Sequence, residues 1–217
     1  MAISYTAIKA LPKIELHRHL EGAVRLQTLV NIADEAGVQM PDYDVETLRP
    51  FVQMMPDEPR TATNFLNKFR TIRQFFRTAR IIDRITREAV ADAAADNIKY
   101  MELRFTPAAL CSMSKCSAGE VVELVCDAAV DAAAEHNIDV RLIVSMNRHE
   151  SVKLGEVVTE AALAHRDRGV VALDIAGNEA QFPAAPFADL FQRAKREGLR
   201  ITVHAGEWGG AASVWDA

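Results

Sequence analysis
Two histidines one residue apart, His17 and His19 in the segment KIELHRHLEG, and a third, His204 in TVHAGEW, are the residues of this chain best suited to hold a metal ion. On an extended strand side chains alternate between faces, so His17 and His19 project together while Leu16 and Leu20 project to the other side. A pair of imidazoles is a common grip on zinc, and a catalytic zinc site adds further ligands while keeping one position open for water. Taken alone, such a pair also suits two ordinary strand histidines. His204 lies far along the chain, so only a fold that gathers strand ends at one place brings the three together.

The 217 residues suffice for one domain with a sizeable core. Twenty-five basic against thirty acidic residues leave a net charge of −5, which argues against a nucleic-acid partner and predicts a soluble, mildly acidic protein. The sequence offers neither a signal peptide nor an apolar stretch of spanning length, so no membrane partner is expected. Cys111, Cys116 and Cys126 form an odd set without a CxxC pair, which fits a reduced, cytoplasmic setting. Cys111 and Cys116 are able to pair or bind metal. Cys126 shares helical spacing with Val122 and Val130, and core or surface thiols are the expectation for all three.

The elements that must position the histidines alternate short β-like runs with longer helical ones, the pattern of βα units around a parallel sheet. Strands are expected at Ile14–His19, Lys99–Thr106, Asp139–Asn147, Val170–Ala176 and Arg200–Ala205. Ser117 followed by Glu120 is a capping-box start, and Gly169 and Gly198 are stop signals. The stretch from Arg25 to Asn97 is too long for one crossover. It is expected to hold Leu26–Ala36 ending at Gly37, a helix around Thr63–Phe76 and a long one from Ala79 to Asp96, together a helical lid inserted at about 25–97. Phe65, Phe69, Ile72 and Phe76 share one helical face and suit either a lid or plain core.

Within the strands, alternation predicts one polar and one apolar face. Glu15, His17 and His19 fall on the first, with Glu102, Arg104, Arg141, Ser145, Asn147, Asp174, Thr202 and His204. Ile14, Leu16, Met101, Leu103, Phe105, Val140, Leu142, Val144, Leu173, Ile175, Ile201 and Val203 fall on the second, under helices. An open doubly wound sheet buries both faces and reads as continuous apolar runs, whereas a closed barrel with a polar interior explains this pattern. An amphipathic open sheet with one wet face is the alternative. In a β/α barrel the reactive groups sit at the C-terminal strand ends. The histidines end the first and fifth strands, Asn147, Arg148 and His149 follow the third, and Gly177 and Asn178 follow the fourth.

LPKIELHRHLEGAV, FLNKF, MELRFTP, ALDIAGNE and ITVHAGEW together resemble, in order and approximate spacing, the adenosine deaminase family of amidohydrolase-like metal enzymes. The resemblance covers essentially the whole chain. It implies an α/β fold of the TIM-type (β/α) barrel kind and one Zn2+ ion. The implied reaction is hydrolytic removal of the 6-amino group of adenosine, giving inosine and ammonia, with a small-molecule purine nucleoside as partner. By motif matching, His17, His19 and His204 are the implied zinc ligands, with His19 also facing substrate, and Glu207 is the implied acid/base residue. Gly177 matches the backbone position that contacts the purine, and Phe65, Leu66 and Phe69 match the apolar gate.

Zinc lowers the pKa of water towards ~7 and so makes it a usable nucleophile at neutral pH. The ring nitrogen beside the attacked carbon must gain a proton, which a nearby carboxylic acid can donate. A glutamic acid in that role needs a raised pKa from a partly desolvated setting. The HxE and PCxxC signature of the zinc nucleobase deaminases is absent. Four residues after His17, where many family members carry an aspartate thought to contact ribose, this chain has Glu21, the form seen in relatives acting on free adenine; Glu21 also suits a turn cap beside Gly22. The resemblance further implies strands, a histidine and two aspartates beyond Ala217. The expectation is therefore a barrel cut after strand five of eight, with little activity alone and a requirement for the missing C-terminal part. Two alternatives stand beside adenosine deamination: an adenine deaminase or other amidohydrolase-like enzyme, and a non-catalytic truncated interaction protein.

Overall fold
A computed structural model describes residues 4–40 and 42–217. Helix α1 (Tyr5–Ala10) precedes strand β1 (Lys13–His19), followed by α2 (Leu26–Ala36), α3 (Val45–Val52), α4 (Ala62–Ile72) and α5 (Ala79–Ala95). From there strands and helices alternate: β2 (Ile98–Phe105), α6 (Pro107–Ser114), α7 (Ala118–His136), β3 (Asp139–Asn147), α8 (Val152–Ala164), β4 (Val170–Ala176), α9 (Ala188–Arg196), β5 (Arg200–Ile201) and α10 (Gly210–Asp216). The strands form one parallel sheet in the order β1-β2-β3-β4-β5. Sequential order with every strand parallel is the wall of a β/α barrel, as the βα alternation predicts.

Local chemistry explains the element ends. Ser117 and Glu120 complete the expected capping box at α7, and Gly37 closes α2 with φ +63°. The turns that lead into β2, β3, β4 and β5 each contain a left-handed residue: Asn97, Asn137, Gly169 and Gly198. Asparagine and glycine tolerate that conformation at least cost. Strand β5 is paired as a ladder only over Arg200–Ile201, yet Thr202 N still donates to Leu173 O and His204 N to Ile175 O. The extended run expected through Ala205 is thus held by β4 as far as the third histidine.

The apolar face of the sheet packs under helices. Met101, Leu103, Phe105, Leu142, Val144, Leu173 and Ile175 are buried, together with Ile82, Ile85 and Val90 of α5 and Val121, Val125 and Cys126 of α7. All three cysteines are free thiols. Strand β1 departs from the expected pattern. Ile14 and Leu16, assigned to the covered face, are 69% and 54% exposed, because β1 is an edge of the described sheet. Its ladder is irregular between Glu15 and Arg18, and Glu15 pairs with Met101 while its carboxylate turns 3.6 Å from Arg18. The break in the ladder interrupts strict alternation between Glu15 and the histidines.

Candidate metal centre and active-site cavity
The interior face carries buried polar groups rather than an apolar fill. Asp174 on β4 is fully buried and accepts from Ser145 Oγ at 2.5 Å and Thr202 Oγ1 at 2.9 Å. Arg104 of β2 lies 3.4 Å from it. Each oxygen is therefore met by a donor, the condition under which a buried carboxylate is tolerated. Burial alone would raise its carboxyl. The bonds from His204 and Ser145 and the charge of Arg104 outweigh that and hold Asp174 at about 2.

His204 Nδ1 donates to Asp174 Oδ1 at 3.2 Å, which leaves Nε2 of that tautomer with a free lone pair. That Nε2 lies 3.0 Å from His17 Nε2 and 3.0 Å from His19 Nε2, and the latter two are 3.3 Å apart. Two nitrogens bound at ~2.05 Å and separated by a tetrahedral angle stand about 3.3 Å apart, so the triangle fits a single divalent ion. Three lone pairs directed at one point suit a shared cation, which satisfies all three nitrogens at once. Burial, then the neighbouring cations, push His19 down to about 4, and burial and Arg104 lower His17. Neutral imidazoles are the ligating form. Among the described residues this is the cluster of histidine, cysteine and carboxylate groups that converges on one point.

A cavity of about 1170 Å³ opens over the cluster at the C-terminal strand ends. Phe65, Leu66 and Phe69 of α4 form one wall: Phe69 packs 5.9 Å from the His19 ring, and Phe65 bridges Phe69 at 5.3 Å to Trp208 at 5.9 Å. The face that suits either lid or core divides between the two, since Ile72 and Phe76 are buried in the core. Gly177, with φ +115°, borders the cavity where a side chain would be strained. Asn147 and His149 line it as expected. Arg148 turns into the scaffold, donating to the carbonyls of His204 and, at 3.2 Å, Phe182.

Two expected site residues differ from the sequence reading. Glu207 lines the cavity but is exposed on its turn, so the desolvated setting expected for it is not found. Glu21 is fully buried behind the wall, where its Oε1 lies 3.3 Å from Arg73 Nη2 and accepts from Thr106 N at 3.3 Å. Arg73 and Thr106, not Glu21, reach the cavity surface. The longer carboxylate of glutamate, compared with aspartate, is spent on that internal pair.

The profile of the family described as adenosine deaminase matches residues 12–217. The chain belongs to the adenosine deaminase family. An adenosine deaminase of Erwinia tasmaniensis is 42% identical over 209 residues, covering 95% of this chain and 62% of the relative. One from Yersinia pseudotuberculosis is 38% identical, covering 95% and 61%. The chain thus spans about three fifths of the length of these relatives. Among solved structures, adenine deaminase from Arthrobacter aurescens superposes with TM-score 0.84 at 26% identity, over 96% of this chain and 62% of that one. An amidohydrolase from Burkholderia ambifaria with bound Zn gives 0.82 at 27%, over 96% and 57%. Arabidopsis ADAL complexed with GMP gives 0.80 at 30%, over 96% and 62%. Family membership and the histidine triangle together indicate a metal cofactor, and the family's chemistry is hydrolytic deamination. No helix among the described residues is long and apolar enough to cross a membrane.

Sequence reasoning passed over Asp174 as the partner of His204 and gave Glu179 no role, although both lie inside the ALDIAGNE segment. Asp174 was legible as an inward polar residue of its strand. Nothing local marks Glu179, whose partners are 27 to 30 residues away.

Proposed function
We propose that this chain carries the zinc-binding and acid-donating portion of a purine aminohydrolase that converts adenosine to inosine and ammonia. The observation that carries the reading is the triangle of His17, His19 and His204 Nε2 atoms at the floor of a cavity bordered by Glu207. These three imidazoles would hold the zinc, with Asp174 fixing the His204 tautomer. When bound, the metal supplies Lewis acidity that makes water reactive toward the amino-bearing ring carbon. Glu207 donates a proton to the adjacent ring nitrogen, a role that substrate burial of its exposed carboxyl would favour. Gly177 lets the purine edge approach the backbone. Phe65, Leu66 and Phe69, on the helical segment 25–97, act as a lid that excludes water. Glu21 contributes to substrate binding indirectly, by holding Arg73 in the wall.

Adenosine is favoured as substrate by the curated relatives at 42% and 38% identity. Free adenine is the second reading, favoured by the likeness to an adenine deaminase and by the withdrawn position of Glu21. Three free thiols and a mildly acidic composition support a cytoplasmic setting. The test is zinc uptake by the purified chain, followed by parallel assays of ammonia release from adenosine and from adenine. One equivalent of zinc is the expected result, with little turnover by the chain alone and what ammonia is released coming from adenosine rather than adenine. Failure to take up zinc would remove the proposal, and turnover of adenine in preference would replace the substrate.

A further inference from the structure
The reaction proposed above leaves Glu179 without a role. This residue follows β4 and is 7% exposed, yet its side chain crosses to the turn after His204. Oε2 accepts from Gly206 N at 2.8 Å, and Oε1 accepts from Gly209 N at 2.9 Å and from Trp208 N. Three backbone donors of one turn surround this carboxylate much as a nest of amides surrounds an anion. The N–H that the nest skips is that of Glu207, which has no acceptor among the described residues.

The turn is built on glycines, which leave the free backbone many shapes and alone fit the one it takes here. Gly206 has φ +82°, and a Cβ there would fall 2.7 Å from Val214 Cγ2. Gly210 has φ +69°, and a Cβ on Gly209 would collide with Ser213. Burial would raise the Glu179 carboxyl, but the three backbone donors and Arg148 outweigh it and keep the group below the usual carboxylate range. The charged form is therefore the one that holds the turn. Arg148 ties the preceding residue from the other side through the His204 carbonyl, so the strand end and the turn are clamped separately.

We infer that Glu179 is a positioning residue whose carboxylate templates the turn from Gly206 to Gly209 and thereby sets where Glu207 stands over the histidine triangle. The catalytic meaning of this placement rests on the function proposed above; the clamp itself does not. The test is residue-resolved amide hydrogen exchange on the full chain, unsubstituted and as Glu179→Gln. Glutamine keeps the size but replaces one acceptor oxygen by a donor. In the unsubstituted chain the amides of Gly206, Trp208 and Gly209 should exchange at least about tenfold more slowly than that of Glu207. In E179Q that protection should fall by about tenfold while one equivalent of zinc is still taken up. Equal exchange at all four amides of the unsubstituted chain would overturn the inference, and that arm stands even where E179Q does not fold. Where deamination is measurable, E179Q should lower kcat at least about tenfold with KM within about threefold; unchanged kcat with a raised KM would also overturn it. A chain that takes up no zinc and deaminates nothing removes the functional proposal and leaves the amide comparison to decide this one.

Discussion
Leu103 and Arg104 are neighbours in β2 and both are buried, but they face opposite sides of the sheet and are held there by different physics. Leu103 lies among Leu142, Val144 and the helices α5 and α7, where stability is summed over many weak contacts and tracks volume. Arg104 lies against Asp174, which in turn is bonded to Ser145, Thr202 and His204, so every member depends on a specific partner. The outer face can lose a methylene and relax. The inner face cannot lose a charge without stranding its partner, and the same network aims the imidazole of His204.

The sharpest way to separate the faces is to cut the inner one at its end. His204→Ala removes one of three converging nitrogens and should weaken zinc binding by more than about 100-fold, read by competition with a chromophoric chelator, while the loss of a donor to buried Asp174 should cost the metal-free chain about 1–3 kcal/mol. Asp174→Ala should do both kinds of damage. It strands Arg104 and unties His204, with an expected loss of about 3–5 kcal/mol in denaturant unfolding and a 10–100-fold drop in zinc affinity. Leu103→Ala should cost about 2–5 kcal/mol while leaving zinc affinity of the folded fraction unchanged. If it weakened zinc as strongly as Asp174→Ala, the two faces would not be separable.

Acid should dismantle the inner face in two steps. His19 has its folded value depressed to about 4 from 6.5, so the unfolded chain takes the proton first and stability falls as pH drops from about 6.5 to 4. Asp174 has its folded value depressed to about 2 from 3.8, so its contribution is present above about pH 4 and is lost as pH falls through 2. Unfolding free energy of the metal-free chain measured against pH should decline across both windows, and a flat profile from pH 6.5 to 4 would contradict the burial of His19. The smallest effect belongs to the outer face. Burial pushes the Cys126 thiol up to about 12, so it should resist alkylation at pH 8 in the folded chain and react only on unfolding, while Cys111 and Cys116, half-buried, react earlier.

Much of this division was readable from residue order because period-two alternation and strand-end position are local signals. Strands β2, β3 and β4 fall within a residue of their expected bounds, and α2, α5 and the α7 cap follow from spacing and end signals. What escaped depended on tertiary partners. Helix α3 contains Pro50, which argues locally against a helix, and α6 begins at Pro107 in a stretch with no strong periodicity. The break in the β1 ladder between Glu15 and Arg18 leaves no mark in composition. Glu21 belongs with Arg73, 52 residues on, a pairing that no local pattern marks.

The four left-handed turns at Asn97, Asn137, Gly169 and Gly198 sit at the rim opposite the cavity. They feed the strands into the sheet from the side away from the cavity, so the opposite loops are free to change length and composition without altering how those strands enter it. A library that diversifies the segments following β2, β3 and β4, while keeping those four positions, is therefore a route to altered ligand preference on an unaltered scaffold.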